Sequence, residues 1–196
     1  MSTKGKKFLN TPLGESALRF AKKNHKGQVR KGSVRPYITH CMEVARILHK
    51  HGYSEEIVIA GLLHDTVEDT EVTLEDLKIS FGEEVSNLVE YVTEDKSPEI
   101  SWIERKVRYI KMLTDAPEGA VVISAADKLH NITEIFEQWL KVGDAVFLMF
   151  SEGKEKQKWF YRSLTEMYFV RGLFFENRSL LKISRSINKV LGKMGM

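Results

Sequence analysis

A single cysteine, Cys41, is all the thiol chemistry this sequence holds. No intrachain disulfide and no cysteine-based zinc cluster can form from it, and a reducing compartment, the cytoplasm, is the expected location. Long apolar runs are missing as well. No stretch approaches the ~18 apolar residues of a membrane span, so no membrane partner is expected. The start, Met1-Ser2-Thr3-Lys4-Gly5-Lys6-Lys7-Phe8, is basic but has no apolar segment after it, so no secretory leader is read there. A large excess of one charge is also lacking. Thirty Lys and Arg against 27 Asp and Glu leave a formal net charge of +3, too small to point to nucleic acid. Alternating strand patterns, internal repeats and low-complexity linkers are absent.

What remains is a chain of 196 residues with 42% apolar content, enough for one domain with a sizeable core. Its basic residues concentrate from Lys154 onward, which reads as a solvated helical face before it reads as an anion site.

Helical spacing dominates, and the expected class is all-α. Ser16 to Lys26 carries Ala17, Leu18, Phe20 and Ala21 on one stripe, and His40 to His51 carries Val44, Ala45, Ile47 and Leu48, with Gly52 as its stop. Ser54 caps the next helix, which runs toward His64-Asp65. Thr73 with Asp76 forms a capping box, Phe81-Gly82 ends that helix, and Glu84 to Thr93 forms another. Ser97-Pro98-Glu99 reads as a helix start with proline in the first turn. Pro117 opens a long helix over Ala120 to Leu140, and helices over about Glu155 to Gly172 and Ser179 to Leu191 finish the chain. The segment Gly27 to Pro36 reads as a loop, and its cations Arg30, Lys31 and Arg35 make it a candidate anion-binding loop.

The chemistry concentrates in Leu62-Leu63-His64-Asp65-Thr66-Val67-Glu68-Asp69, behind the apolar run Ile57-Val58-Ile59-Ala60. Buried imidazoles and carboxylates need hydrogen bonds, counter-charges or a metal. Residues four apart share a helix face, so Glu68 lies one turn beyond His64 and Asp69 one turn beyond Asp65. Three acids this close repel unless a cation sits among them. A helix end fraying into an acidic, solvated loop accounts for Glu68 and Asp69 taken alone. His64-Asp65 behind a buried run favours a metal. In a second constellation, Asp127 and Asn131 share a face beside the small residues Ala125 and Ala126. A salt bridge to a nearby cation is the simpler local reading of Asp127, and a metal shared with His64-Asp65 is the other. His40 opens an apolar helix, where a lone histidine usually packs or caps, and His25, His49, His51 and His130 receive the same reading.

In order, these constellations give His, His-Asp and Asp, the ligand order of the HD metal-dependent phosphohydrolases. The linked stretches His25-Lys26-Gly27-Gln28-Val29-Arg30-Lys31, Pro36-Tyr37-Ile38-Thr39-His40, Leu62 to Thr70, Phe81-Gly82, Val92-Thr93 and Ala126-Asp127-Lys128-Leu129-His130-Asn131 are more specific. Over roughly residues 14 to 170 the chain resembles the hydrolase domain of the RelA/SpoT alarmone enzymes, and its length leaves no room for their synthetase or regulatory domains. The resemblance implies a single HD-domain helical bundle over residues 1–196, with residues 173–196 as a C-terminal helical extension. It implies a small hydrolase of (p)ppGpp that releases pyrophosphate and GDP or GTP, with Mn²⁺ as cofactor. The implied metal ligands are His40, His64, Asp65 and Asp127, and the implied catalytic acids are Glu68 and Asp69. The implied nucleotide contacts are Arg30, Lys31 and Asn131, and Lys128 joins Arg30 and Lys31 as a candidate for stabilising charge on the phosphoryl oxygens. Lys156 and Phe160 stand where small hydrolases carry an arginine and a tyrosine near the substrate. The basic loop, Lys31-Gly32-Ser33-Val34-Arg35-Pro36, is about one residue longer than the family's Lys-Ser-Gly-x-Pro.

Three alternatives accompany this expectation. The same centre could act on ppApp, it could act on the 2′-phosphate of NADPH, or the chain could be a weakly catalytic alarmone-binding module. A homodimer through the basic C-terminal helices is compatible with the charge distribution.

Overall fold

The computed structural model describes residues 7–196, so the reading of Met1 to Lys6 as free of a leader lies outside the described residues. Among the described residues the chain is helical and has no strand, which agrees with the all-α expectation; its β-pairing is an isolated bridge between Val29 and Pro36. The chain forms two compact units, one ending at Pro98 and one spanning Glu99–Met196.

The first unit contains α1 (Pro12–Asn24), α2 (Ile38–Lys50), α3 (Glu55–Leu63), α4 (Thr66–Asp69), α5 (Leu74–Phe81) and α6 (Glu83–Glu90). Its centre is α3. Ser54 caps this helix by accepting from the Ile57 N–H, and every residue from Val58 to Leu63 is buried. That continuous burial explains why α3 shows no amphipathic stripe: α1, α2 and α6 all pack on it. Leu48, Ile59, Leu62 and Leu63 are fully buried, each contributing about 1.5–3 kcal/mol of hydrophobic stabilisation. At Gly61 the side chains of α2 approach closely. A Cβ built there would lie 2.2 Å from Leu48 Cδ1. Cys41, one residue after His40, is fully buried in the same layer.

The second unit contains α7 (Trp102–Asp115), α8 (Glu118–Val142), α9 (Lys154–Phe174) and α10 (Arg178–Lys193). Gly119 to Asp127 of α8 are buried without interruption, so Val121-Val122-Ile123 is core helix rather than strand. The C-terminal extension is part of this core. Leu180, Ile183, Ile187 and Leu191 of α10 are buried, and the helix packs on α8 and α9. Gly172 permits that approach, since a Cβ there would lie 2.8 Å from Leu181 Cδ2.

One expected boundary moves. The helix expected at Ser97-Pro98-Glu99 begins instead at Trp102, with Ser101 as its cap. Ser97 is engaged elsewhere: its N–H and hydroxyl both donate to Asp95 Oδ1, at 2.9 and 2.5 Å, local bonds that compete with capping.

Candidate functional site

His64 and Asp65 occupy the joint between α3 and α4. Their backbone angles remain in the right-handed helical region, so the turn continues without a clean break, and the Asp69 N–H still donates to the Asp65 carbonyl at 2.9 Å. His64 Nδ1 lies 2.8 Å from the Gly61 carbonyl, which assigns the proton to Nδ1 and leaves a lone pair on Nε2. His40, in the first turn of α2, brings its Nε2 to 3.3 Å from that of His64. Asp65 Oδ2 sits 3.1 Å from His64 Nε2 and 3.5 Å from His40 Nε2. His40 and His64 are 1% and 3% exposed, so these donors converge in the interior rather than on a wet surface. Burial alone would raise the Asp65 carboxyl, but when the imidazoles of His64 and His40 are protonated their charge and the hydrogen bonds they then donate hold it well below the ordinary carboxylate range.

Neighbouring ligands on an octahedral ion with bonds of about 2.1 Å stand roughly 3 Å apart, close to the three separations seen here. Two imidazoles and a carboxylate, with no thiolate, suit a first-row divalent cation. His40, His64 and Asp65 therefore fit a metal.

Glu68 and Asp69 follow in α4, and the structure supplies the cation that their proximity demands. Lys96 Nζ lies 2.9 Å from Glu68 Oε1 and 2.6 Å from Asp69 Oδ1. Glu68 also accepts from the Glu94 N–H at 2.9 Å. Burial, helped by the Asp65 charge, pushes the Glu68 carboxyl up, against the opposing pull of Glu94 and Lys96. Burial disfavours the charged ammonium of Lys96, but its two carboxylate partners outweigh that effect and raise it.

The basic loop reaches this same centre. Gly27 and Gly32 have φ of 85° and 70°, and the Arg30 N–H donates to the Arg35 carbonyl at 2.9 Å. The Arg30 guanidinium lies 5.1 Å from the centre of the Tyr37 ring, and the Tyr37 hydroxyl donates to Asp65 Oδ2 at 2.7 Å. Burial, then the nearby Asp65 and Asp69 charges, raises the Tyr37 phenol far above its usual value, which keeps it a donor. Lys31 is exposed on the loop.

In the second unit Asp127 is 6% exposed. It accepts from Lys128 Nζ and from Asn131 Nδ2, each at 2.5 Å, so the salt bridge expected for it is present, with Lys128 as the cation. Lys128 also lies 5.3 Å from the centre of the Tyr109 ring. A buried hydroxyl chain runs beside it, Tyr109 to Ser124 at 2.8 Å and Ser124 to Tyr168 at 2.6 Å. Lys156 is about half exposed and ion-paired with Glu152 at 2.7 Å. Phe160 is 4% exposed and packs against Trp102, Tyr109 and Tyr161.

The structure thus brings His40, His64, Asp65, Glu68, Asp69 and Arg30 together within the first unit. It also adds residues that the sequence reading missed. Tyr37 carries no chemical signal in its spacing, and His25 reads from sequence as a packing residue. Lys96 carried no signal in spacing or pattern, because its partners lie 27 and 28 positions earlier in the chain.

Residues 17–142 match the HD domain family. Among curated proteins, guanosine-3′,5′-bis(diphosphate) 3′-pyrophosphohydrolase MESH1 of Xenopus tropicalis is 42% identical over 122 residues, covering 61% of this chain and 67% of its own. The human protein of the same name is 42% identical over 119 residues, covering 59% of this chain and 65% of its own. The matched segment therefore spans about two thirds of these relatives. Among solved structures, lmo0812 of Listeria monocytogenes EGD-e is 34% identical with a TM-score of 0.69, over 80% of this chain and 99% of its own. A metazoan ortholog of SpoT, described as hydrolysing ppGpp, is 26% identical with a TM-score of 0.74, over 94% of this chain and 97% of its own.

Proposed function

The chain belongs to the HD domain family, and from that premise we propose that it is a metal-dependent (p)ppGpp 3′-pyrophosphohydrolase. The observation that carries this reading is a paired Glu68-Asp69 set, held by Lys96, one helical turn beyond a buried His40–His64–Asp65 donor cluster. Curated relatives at 42% identity bear the name of that activity.

In this proposal His40, His64 and Asp65 hold the ion, and the resemblance alone adds Asp127 as a fourth ligand. Mn²⁺ is the proposed ion, supported by a donor set of imidazole and carboxylate without thiolate. Bound there, a divalent cation supplies charge stabilisation and a water of lowered pKa. Glu68 is the proposed base that takes the proton from the attacking water, supported by its place one helical turn beyond His64 and by its pairing with Lys96 beside Asp69. Asp69 orients the same water. Attack on the phosphorus bonded to the 3′ oxygen breaks that P–O bond. The water oxygen stays on the pyrophosphate, and the departing 3′ oxygen takes back the proton held by Glu68 to become the nucleoside 3′-hydroxyl. Arg30, Lys31 and Lys96 offset the charge growing on the phosphoryl oxygens. Lys128 and Asn131 are proposed nucleotide contacts that also hold Asp127, and Lys156 and Phe160 enter the proposal only through the resemblance.

No helix among the described residues is long and apolar enough to cross a membrane. A cytoplasmic location is part of the proposal, supported by a sequence whose one cysteine can form no intrachain disulfide. A homodimer through the C-terminal helices is supported by exposed Val170, Leu173 and Phe174 on α9.

The decisive experiment incubates Mn²⁺-loaded protein with ppGpp, ppApp and NADPH and identifies the products. Pyrophosphate released from ppGpp, and lost in Asp65→Ala, is expected. Orthophosphate from NADPH with ppGpp untouched would move the activity to the 2′-phosphate. Tight ppGpp binding without turnover would make the chain a binding module.

A further inference from the structure

We propose that Tyr37 is a positioning residue for the metal centre: its hydroxyl fixes the metal-facing oxygen of Asp65, and its own place is set by a His25–Gln28 brace that also holds the Asp69 backbone. This inference rests on the metal reading of His40, His64 and Asp65 given above.

The oxygen of Asp65 that faces both imidazole Nε2 atoms is Oδ2, and it is the same oxygen that accepts from Tyr37 at 2.7 Å. A carboxylate oxygen has two lone pairs. With one engaged by the phenol, the rotation of the carboxylate is set and the other is aimed between the imidazoles. The His40 and His64 nitrogens are the partners a cation would take over, whereas the Tyr37 hydroxyl would keep its hold on Oδ2.

Tyr37 is itself held from several sides. Its N–H donates to the Gln28 carbonyl at 2.9 Å, and its ring stacks on the His25 imidazole with centroids 5.1 Å apart and planes 27° from parallel. The Gln28 side chain orders the rest of the network. Its Nε2 donates to the Asp69 carbonyl at 2.8 Å, so its Oε1 must face His25, 2.7 Å from Nδ1. An amide oxygen only accepts, which places the His25 proton on Nδ1. His25 Nε2 is buried and has no hydrogen-bond partner. Packing alone would be served better by a phenylalanine there, so the Nδ1–H bond to Gln28 is the function of this imidazole.

The network therefore joins the basic loop, the proposed ligand Asp65 and the proposed catalytic residue Asp69 through three side chains. Because Arg30 lies over the same Tyr37 ring, the phosphate-facing loop and the metal ligand share one support. Groups that orient a metal ligand from behind typically change metal affinity 10–100-fold when removed.

The test is a Mn²⁺ titration of wild type, Tyr37→Phe and Asp65→Ala by calorimetry, with the Mn²⁺ electron paramagnetic resonance line shape and the thermal midpoint recorded for each. Tyr37→Phe keeps the ring against His25 and Arg30 and deletes only the hydroxyl. The expected result is a 10–100-fold weaker Kd, an altered line shape and a thermal midpoint close to wild type, with much of kcat recovered at saturating Mn²⁺. A Kd and line shape like wild type in Tyr37→Phe, with binding lost in Asp65→Ala, would overturn the role of Tyr37 and leave the metal centre standing. Absence of Mn²⁺ binding in wild type, or Asp65→Ala binding as well as wild type, would overturn the metal centre and this inference with it. If Tyr37→Phe does not fold, His25→Phe supplies the measurement. It retains the stack and the Tyr37 hydroxyl but removes the Gln28 anchor, and a several-fold loss of affinity is expected; an unchanged Kd would overturn the brace.

Discussion

Replacing Gly61 with alanine drives a methyl group into Leu48. The new Cβ would lie 2.2 Å from Leu48 Cδ1 and 3.6 Å from Val44 Cγ1. Carbon atoms rest about 3.5–4.0 Å apart, so the first contact is short by roughly 1.3 Å. Leu48 is fully buried and cannot swing into solvent, so α2 and α3 must separate or Leu48 must leave its rotamer. Overpacking of this kind costs about 1–3 kcal/mol, and exchanging glycine for alanine within a helix returns about 1 kcal/mol. Gly61→Ala should therefore destabilise the protein by about 0–2 kcal/mol. Leu48→Ala alone should cost about 2–5 kcal/mol through the cavity it leaves. The double variant relieves the clash and fills part of that cavity, so it should be more stable than the sum of the singles by about 1–3 kcal/mol. Urea denaturation with unchanged slope measures all three. The same cycle reads on the metal site, because α2 carries His40, α3 leads into His64, and the 3.3 Å between their Nε2 atoms depends on how closely the helices approach. Gly61→Ala should weaken Mn²⁺ binding, and adding Leu48→Ala should restore part of it. Additive stabilities within about 0.5 kcal/mol would refute the close approach as the source of the effect.

Glu68→Gln should lower kcat by about 10²–10⁴-fold, measured as pyrophosphate release. The same variant should be more stable than wild type when metal is absent. The native Glu68 pKa is raised, so its relative stability is fully present below the ordinary glutamate value and is lost as pH rises through the raised one. The margin of Glu68→Gln over wild type should therefore grow with pH and then level off; a margin independent of pH would show that Glu68 titrates normally. Lys96→Met removes a charge that lowers Glu68, so the acidic limb of kcat/KM should move to higher pH, with Lys96→Arg restoring it in part. Asn177→Ala deletes the cap that accepts the Leu180 N–H at 2.8 Å and should cost about 0.5–2 kcal/mol in thermal or urea unfolding.

Local signals carried much of the architecture. Ser54 and the Thr73–Asp76 box cap the helices expected of them, and Gly82, with φ of 91°, ends α5 as its residue type suggests. Those features need only neighbours within four positions. Ser97 misled because Asp95, two residues away, competes for the same hydroxyl and N–H. Of the site, His64-Asp65 and the acids beyond it were legible because a helix repeats in four and buried charge is costly. Lys96 and the brace were not legible. Gln28 meets the Asp69 carbonyl across 41 positions, and only the packing of α1, α2 and α3 brings those segments together. His25 looks like a core histidine by every local measure, and its role shows only when the orientation of the Gln28 amide is known.

Cys41 gives this chain an internal reporter. It is the one thiol in the sequence, it is fully buried, and it follows His40 directly. A thiol reagent can reach it only when α2 lifts from its neighbours, so the rate of labelling under native conditions counts those openings one molecule at a time. No tag, dye or engineered cysteine is needed to watch the helix that carries His40. Any ligand that locks the α2–α3 pair should slow the reaction in proportion to its occupancy, which turns a residue without evident chemistry into a clock for the site.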